Sequence, residues 1–254
     1  VTPPPGKLYG VGTGPGDPEL LTLKAVRALA QADVLAYFAK KGRQGNARAI
    51  VASHIRPGMA ELPMLYPVTT EIDRSLPGYR EAISAFFDEA AGRIADELEQ
   101  GRTVAVLSEG DPFFYGSYMH IHARLAHRFE AEVIPGVTAM SGCWSAAGLP
   151  LMQGEDVTAI LPGTLPEGEL VRRLADADAA VVMKVGRNLG KIRRALKRVG
   201  RLGTAVYVER GTMEGSIAVP LADKAEDVAP YFSLVLVPGW QARPAMMVAG
   251  DDAA

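Results

Sequence analysis

Short apolar runs alternate with amphipathic stretches through the first half of the chain. Leu8–Val11, Val34–Phe38, Glu61–Leu65, Thr103–Leu107 and Glu132–Ile134 read as strands. Between them, Leu23–Ala32, Tyr79–Gln100 and Tyr118–Phe129 repeat apolar residues at helical spacing, and Thr22 stands where the first of these helices needs an N-cap. Arg43–Arg56 reads as a further helix. Strands alternating with helices in this way predict a mostly parallel sheet wound with helices.

After Pro135-Gly136 the rhythm changes. A helix of small residues, Thr138–Ala147, precedes Val157–Leu161, Ala179–Lys184, Thr204–Glu209, Ser216–Val219, Ser233–Val237 and Ala245–Ala249 as strands, with helices at Glu167–Ala175 and Asn188–Arg198. The denser strands predict a mixed α+β second domain. The expected division is residues 1–136 and 137–254.

The 254 residues allow one large domain or two small ones, and a formal net charge of −2 argues against a global basic field for nucleic acid. Cys143 is the single cysteine, so no intrachain disulfide can form, which suits a reducing compartment. No run reaches the length of a membrane span, and VTPPPGK lacks a signal-peptide core, so the expectation is a soluble cytoplasmic protein without a membrane partner. His120 and His122, two apart on a predicted helix, point away from each other, and His54 and His127 add no ligand pattern. No protein-bound metal is expected.

The first candidate site is VGTGPGDPELLTLKA, Val11 to Ala25. Gly10, Gly12, Gly14 and Gly16 strip side chains from a strand-to-helix turn that Pro15 stiffens, an arrangement that lets backbone approach a ligand. The dinucleotide fingerprint fails here, because Asp17 occupies the third glycine position counted from Gly12, although Asp33 has the separation of a ribose-reading acid. No phosphate-binding P-loop occurs. Four further motifs lie at or beside apolar strands: SEGDPFFYGS (Ser108 to Ser117), PGVTAMSG (Pro135 to Gly142), VVMKVG around Met183, and VERGTMEGS around Gly211 and Thr212. The carboxyl ends of strands are where open α/β sheets bind ligands.

In this order the five motifs resemble the tetrapyrrole (corrin/porphyrin) methylase family, S-adenosylmethionine-dependent enzymes, from Leu8 to about Gly250. The resemblance implies two α/β domains, a mostly parallel N-terminal sheet and a mixed C-terminal one. It also implies an active site in the cleft between them, and a homodimer. By motif, the implied cofactor contacts are Pro15; Gly110, Asp111 and Phe113; Thr138 and Ala139; Met183; and Gly211 with Thr212. Uroporphyrinogen methylases carry an aspartate at the end of the second strand, whereas ADVLAYF ends in Phe38. LPMLYPVTTE (Leu62 to Glu71) and VVMKVGRN (Val181 to Asn188) instead resemble the branch that methylates the meso carbon C20 of precorrin-2, with the cobalt-containing substrate as the alternative. Tyr66, Glu71, Glu109 and Glu209 are open candidates for assisting proton loss. Arg187, Arg210 and Arg243 are candidates for the substrate carboxylates, and KIRRALKRVGR (Lys191 to Arg201) reads as an exposed helix face. A sensor that binds the cofactor without turnover would share all five motifs. RNA and protein methyltransferases share the fold, so fold alone names no substrate.

Overall fold

The computed structural model describes residues 4–67 and 78–239. The chain divides into two compact units, Val1–Thr138 and Ala139–Ala254. The first contains strands β1 (Leu8–Gly12), β2 (Val34–Lys40), β3 (Ala60–Tyr66), β4 (Val104–Ser108) and β5 (Ala131–Ile134). Its helices are α1 (Leu23–Gln31), α2 (Asn46–Ile50), α3 (Tyr79–Glu99) and α4 (Tyr118–Leu125). The sheet order is β3-β2-β4-β1-β5 and every pairing is parallel. All five residues of both β1 and β4 are buried, as expected of strands covered on two faces.

One face of this sheet packs α3 and α4. Phe86, Phe87, Ala90, Ala91, Ile94, Ala95 and Leu98 project from α3 onto Leu8, Val34, Ala36, Val104 and Val106. The other face packs α1 and α2 through Ala25, Ala28, Leu29, Ala47 and Val51 against Val11, Leu35, Ala105 and Leu107. Thr22 caps α1 as expected, its hydroxyl accepting from Ala25 N at 3.1 Å. Parallel pairing has one consequence for function: the loops that follow β1, β4 and β5 all leave the same edge of the sheet.

The second unit contains β6 (Thr158–Pro162), β7 (Ala179–Met183), β8 (Val206–Glu209), β9 (Ile217–Pro220) and β10 (Ser233–Val237), with α5 (Ala139–Ala146), α6 (Glu167–Asp176) and α7 (Leu189–Arg198). Its order is β6-β7-β10-β8-β9, with β6 and β7 parallel and the other pairings antiparallel. This is the mixed sheet anticipated from its dense strands.

Two departures have local causes. The helix expected over Arg43–Arg56 contracts to α2 plus a 3-10 turn at Ala52–His54, because Gly45, at φ 73°, starts the helix instead of lying within it. The stretch after α4 is a turn, with the N–H groups of Arg128 and Phe129 both donating to Leu125 O. The expected strand Ala245–Ala249 lies outside the described residues. Among the described residues no helix is long and apolar enough to cross a membrane.

The basic run at the end of α7 contains a correction. Arg194 pairs with Glu167 on an exposed face, as expected, but Arg193, paired with Asp227, has a side chain only 18% exposed, and Arg201 is part-buried. Its guanidinium donates to Leu174 O at 3.2 Å, Ala177 O at 2.7 Å, Asp178 O, and Pro238 O at 3.4 Å. One side chain thus satisfies carbonyls at the end of α6, before β7 and after β10. Arg201→Met should cost about 3 kcal/mol by leaving several carbonyls without donors. Arg201→Lys should recover less than half of that loss, since an ammonium lacks the planar fork. Urea unfolding of the three proteins measures both.

Candidate active site

At the carboxyl edge of the first sheet, three loops meet through bare main chain. Gly110 N donates to Gly14 O at 2.8 Å and Gly14 N to Gly110 O at 3.3 Å, a small antiparallel bridge between the loops after β1 and β4. The loop after β5 enters the same contact: a Cβ on Gly136 would lie 2.1 Å from Gly110 O and 2.9 Å from Gly12 Cα. Gly110 also holds φ 65°, where a side chain costs about 1–2 kcal/mol. Its glycine therefore serves the shape of the loop as well as any approach by a ligand.

Asp111 locks this arrangement. Oδ1 accepts from Phe113 N at 2.9 Å, an Asx turn, and Oδ2 accepts from Gly136 N at 3.1 Å. One carboxylate thus forms the local turn and holds the loop after β5. Phe113 follows with its ring 49% exposed, edge-on to His122 at 5.0 Å between centroids. Pro15 sits between Gly14 and Gly16, which have φ of 76° and 149°. Within the first unit, then, Pro15, Gly110 and Asp111 are drawn to one edge, with Phe113 beside them.

Glu109 was one of four candidate bases; Asn46 gave no signal in the sequence. The Glu109 carboxylate accepts from the Asn46 side chain and from Ala47 N–H, tying the start of α2 to the loop after β4. Burial raises its pKa, and those two donors offset the rise only in part.

Asp33 takes no part in this edge. Its Oδ2 accepts from Thr103 N at 2.8 Å, joining the residues that precede β2 and β4 at the opposite, amino-terminal end of the sheet. The separation that suggested a ribose reader instead serves strand alignment. Phe38 is packed as well. It stacks on Tyr66 at 5.7 Å and 25°, and meets Phe86 and Phe87 edge-on at 6.2 and 6.0 Å. The Tyr66 hydroxyl hydrogen-bonds Ser117 Oγ, which joins the end of β3 to the start of α4. An aspartate at position 38 would place a carboxylate against three aromatic rings, so the phenylalanine is matched to its surroundings. Residues 68–71 of the LPMLYPVTTE segment, including Glu71, and Arg243 lie outside the described residues.

In the second unit, β6 and β7 are parallel, and β7 and β8 both run antiparallel to β10, so the carboxyl ends of β6, β7 and β8 share an edge. Met183 ends β7; it packs against the cluster of Cys143, Val208 and Leu234, and its carbonyl accepts from Gly163 N at 2.6 Å. Gly211 lies against α5, where a Cβ would meet Cys143 Sγ at 2.6 Å and Cys143 Cα at 2.9 Å. The structure thereby draws Met183, Gly211 and the helix that starts at Ala139 to one cluster, with Thr212 next in the turn and Thr138 just before the helix. Burial pushes the Cys143 thiol up to about 11, the state of an inert packing residue. The Tyr207 hydroxyl donates to Glu209 Oε2 at 2.8 Å. Arg187 and Arg210 are both exposed.

A carboxyl whose pKa is higher in the folded than in the unfolded chain favours folding below the unfolded value and loses that contribution as pH rises through the folded value. Glu109→Gln should therefore match wild type below about pH 4.5 and become the more stable protein as pH rises above it. Denaturant melts across pH check the crossover.

The tetrapyrrole (corrin/porphyrin) methylases family profile matches residues 7–225. Over 239 residues the chain is 67% identical to a precorrin-2 C(20)-methyltransferase from Sinorhizobium sp, covering 94% of this chain and 98% of that protein. It is 29% identical over 238 residues to a cobalt-precorrin-2 C(20)-methyltransferase from Salmonella typhimurium, covering 91% and 96%. Among solved structures, a uroporphyrin-III C-methyl transferase from Thermus thermophilus complexed with S-adenyl homocysteine matches with a TM-score of 0.64 and 26% identity, over 93% of this chain and all of that one. With two five-stranded sheets in the expected orders of direction and a family match across most of its length, the chain belongs to the tetrapyrrole methylase family.

Proposed function

We infer that this protein is an S-adenosylmethionine-dependent methyltransferase that acts on C20 of precorrin-2 in cobalamin biosynthesis. The observation that carries the reading is the 67% identity, spanning nearly all of both proteins, to an enzyme of that activity; the cobalt-precorrin-2 relative stands at 29%. The packed Phe38 supports the same branch, since an aromatic ring, where a uroporphyrinogen methylase is expected to carry a carboxylate, completes the cluster of Tyr66, Phe86 and Phe87.

The residues present fit the cofactor. Gly14 and Gly110 offer bare backbone, Phe113 a half-exposed ring, and Met183 a polarizable thioether. We propose that Pro15, Gly110, Asp111 and Phe113 in the first unit, with Thr138, and Ala139, Met183, Gly211 and Thr212 in the second, hold S-adenosylmethionine. When bound, it supplies the methyl group. The chain's task is positioning: the reacting atoms must be held at roughly 3–3.5 Å in line, which can account for much of the rate without a covalent nucleophile. Asp111 serves this by fixing the loops after β4 and β5 against one another. The proton displaced from C20 would pass to solvent water or to one of the candidate bases Tyr66, Glu71, Glu109 and Glu209.

We also propose a cytoplasmic homodimer, in keeping with the family resemblance and with the prevalence of twofold assemblies. Light scattering at micromolar concentration should give twice the chain mass of 27.0 kDa; the single-chain mass would refute the dimer.

Incubation with carbon-13-methyl S-adenosylmethionine, under anaerobic conditions, should label C20 of precorrin-2 and leave uroporphyrinogen III unlabelled. Faster labelling of cobalt-precorrin-2 than of precorrin-2 would reassign the substrate. Binding of S-adenosylhomocysteine without any turnover would make the protein a sensor instead of an enzyme.

A further inference from the structure

Among the described residues, three that are not glycine hold a left-handed φ: Tyr115 at 57°, Lys184 at 56° and Arg210 at 53°. Each adjoins a candidate cofactor motif. Long side chains in this region carry a steric cost that glycine escapes, and such residues persist where the surrounding structure requires them. Lys184 and Arg210 form a pair by position, because each is the first residue beyond a strand, β7 and β8 respectively. Ser233 starts β10 between them, pairing with Glu209, while Val235 pairs with Val182. Two strand spacings therefore separate the two positions, about 10 Å.

The main chain accounts for the conformation at both places. Lys184 O accepts from Asn188 Nδ2 at 3.0 Å, and Arg210 O accepts from Met213 N at 2.7 Å while Arg210 N donates to Phe232 O at 2.9 Å. Glycine would satisfy those bonds with less strain, yet the chain carries a cation at each position. Both residues are exposed on this edge. The neighbouring Glu209 carboxylate accepts from Tyr207, and Glu214 lies exposed in the turn after Arg210.

We propose that Lys184 and Arg210 are specificity-determining residues that together grip two peripheral carboxylates of the tetrapyrrole, an assignment that rests on the substrate reading above. Two cations rooted two strand spacings apart suit a polycarboxylate rim better than a single anion. The left-handed turn at the root of each side chain sets the direction in which it leaves the sheet edge. Arg210 was a candidate from sequence alone; Lys184 is added by the strand pairing and the shared backbone state.

The test is binding of precorrin-2 to protein loaded with S-adenosylhomocysteine, followed anaerobically by fluorescence quenching. Lys184→Gly and Arg210→Gly should each weaken precorrin-2 binding about tenfold, the loss expected for a charged hydrogen bond. S-adenosylhomocysteine affinity should not change, and Tm should hold or rise by a few degrees as the strain is relieved. Lys184→Met and Arg210→Gln keep a strained backbone but lose the charge, and should weaken precorrin-2 to the same extent. Wild-type precorrin-2 affinity in the double glycine variant would overturn the proposal. So would a parallel loss of S-adenosylhomocysteine affinity, which would make both residues cofactor contacts. Binding is read without turnover, so failure of the wild type to methylate precorrin-2 would remove the activity and still leave the pair open to this measurement.

Discussion

The contact on which the candidate site depends is the approach of three peptide backbones at the carboxyl edge of the first sheet. The loops after β1, β4 and β5 touch through Gly12, Gly14, Gly110 and Gly136, with no side chain between them. Parallel strands bring these loops to one edge, and the absence of Cβ atoms lets them close to main-chain distance. Asp111 then converts proximity into fixed geometry, since its two oxygens accept from the loop that contains it and from the loop after β5. A methyl transferase that works by positioning needs this kind of rigidity more than it needs a reactive side chain.

The second unit reaches its edge by another route. Its sheet is mixed, yet β6, β7 and β8 still end on one side because β10 runs against both β7 and β8. Here helix packing takes the place of glycine-to-glycine contact. Gly211 yields its side-chain space to Cys143 of α5, and Met183 joins the same cluster. Arg201 stabilises the opposite end of the unit by collecting carbonyls from three segments, which frees the site edge from that structural duty.

Aromatic packing links the end of the first sheet to the loop after β4. Phe38, Tyr66, Phe86 and Phe87 form one aromatic cluster, and the Tyr66 hydroxyl reaches Ser117 at the start of α4. Phe38 therefore acts through its neighbours: it holds Tyr66, and Tyr66 in turn holds the loop that carries Asp111 and Phe113. A single change at position 38 would be felt along that chain of contacts.

Local pattern by itself determined the strands among the described residues, most of the helices, the Thr22 cap and the five motifs, because hydrophobic periodicity and glycine placement are properties of neighbouring residues. Those motifs, by resemblance, also led to the family and the cofactor. Tertiary structure alone decided what individual polar residues do. Asp33 has the spacing of a ribose reader but faces Thr103 across the sheet; Glu109 meets Asn46, and Arg201 leaves the surface to serve buried carbonyls. The left-handed state of Lys184 and Arg210 was equally hidden, since neither residue type signals it. The roles of Asp33, Glu109 and Arg201 are set by partners far away in sequence, and a pairing between distant segments exists only once the strands have found their order.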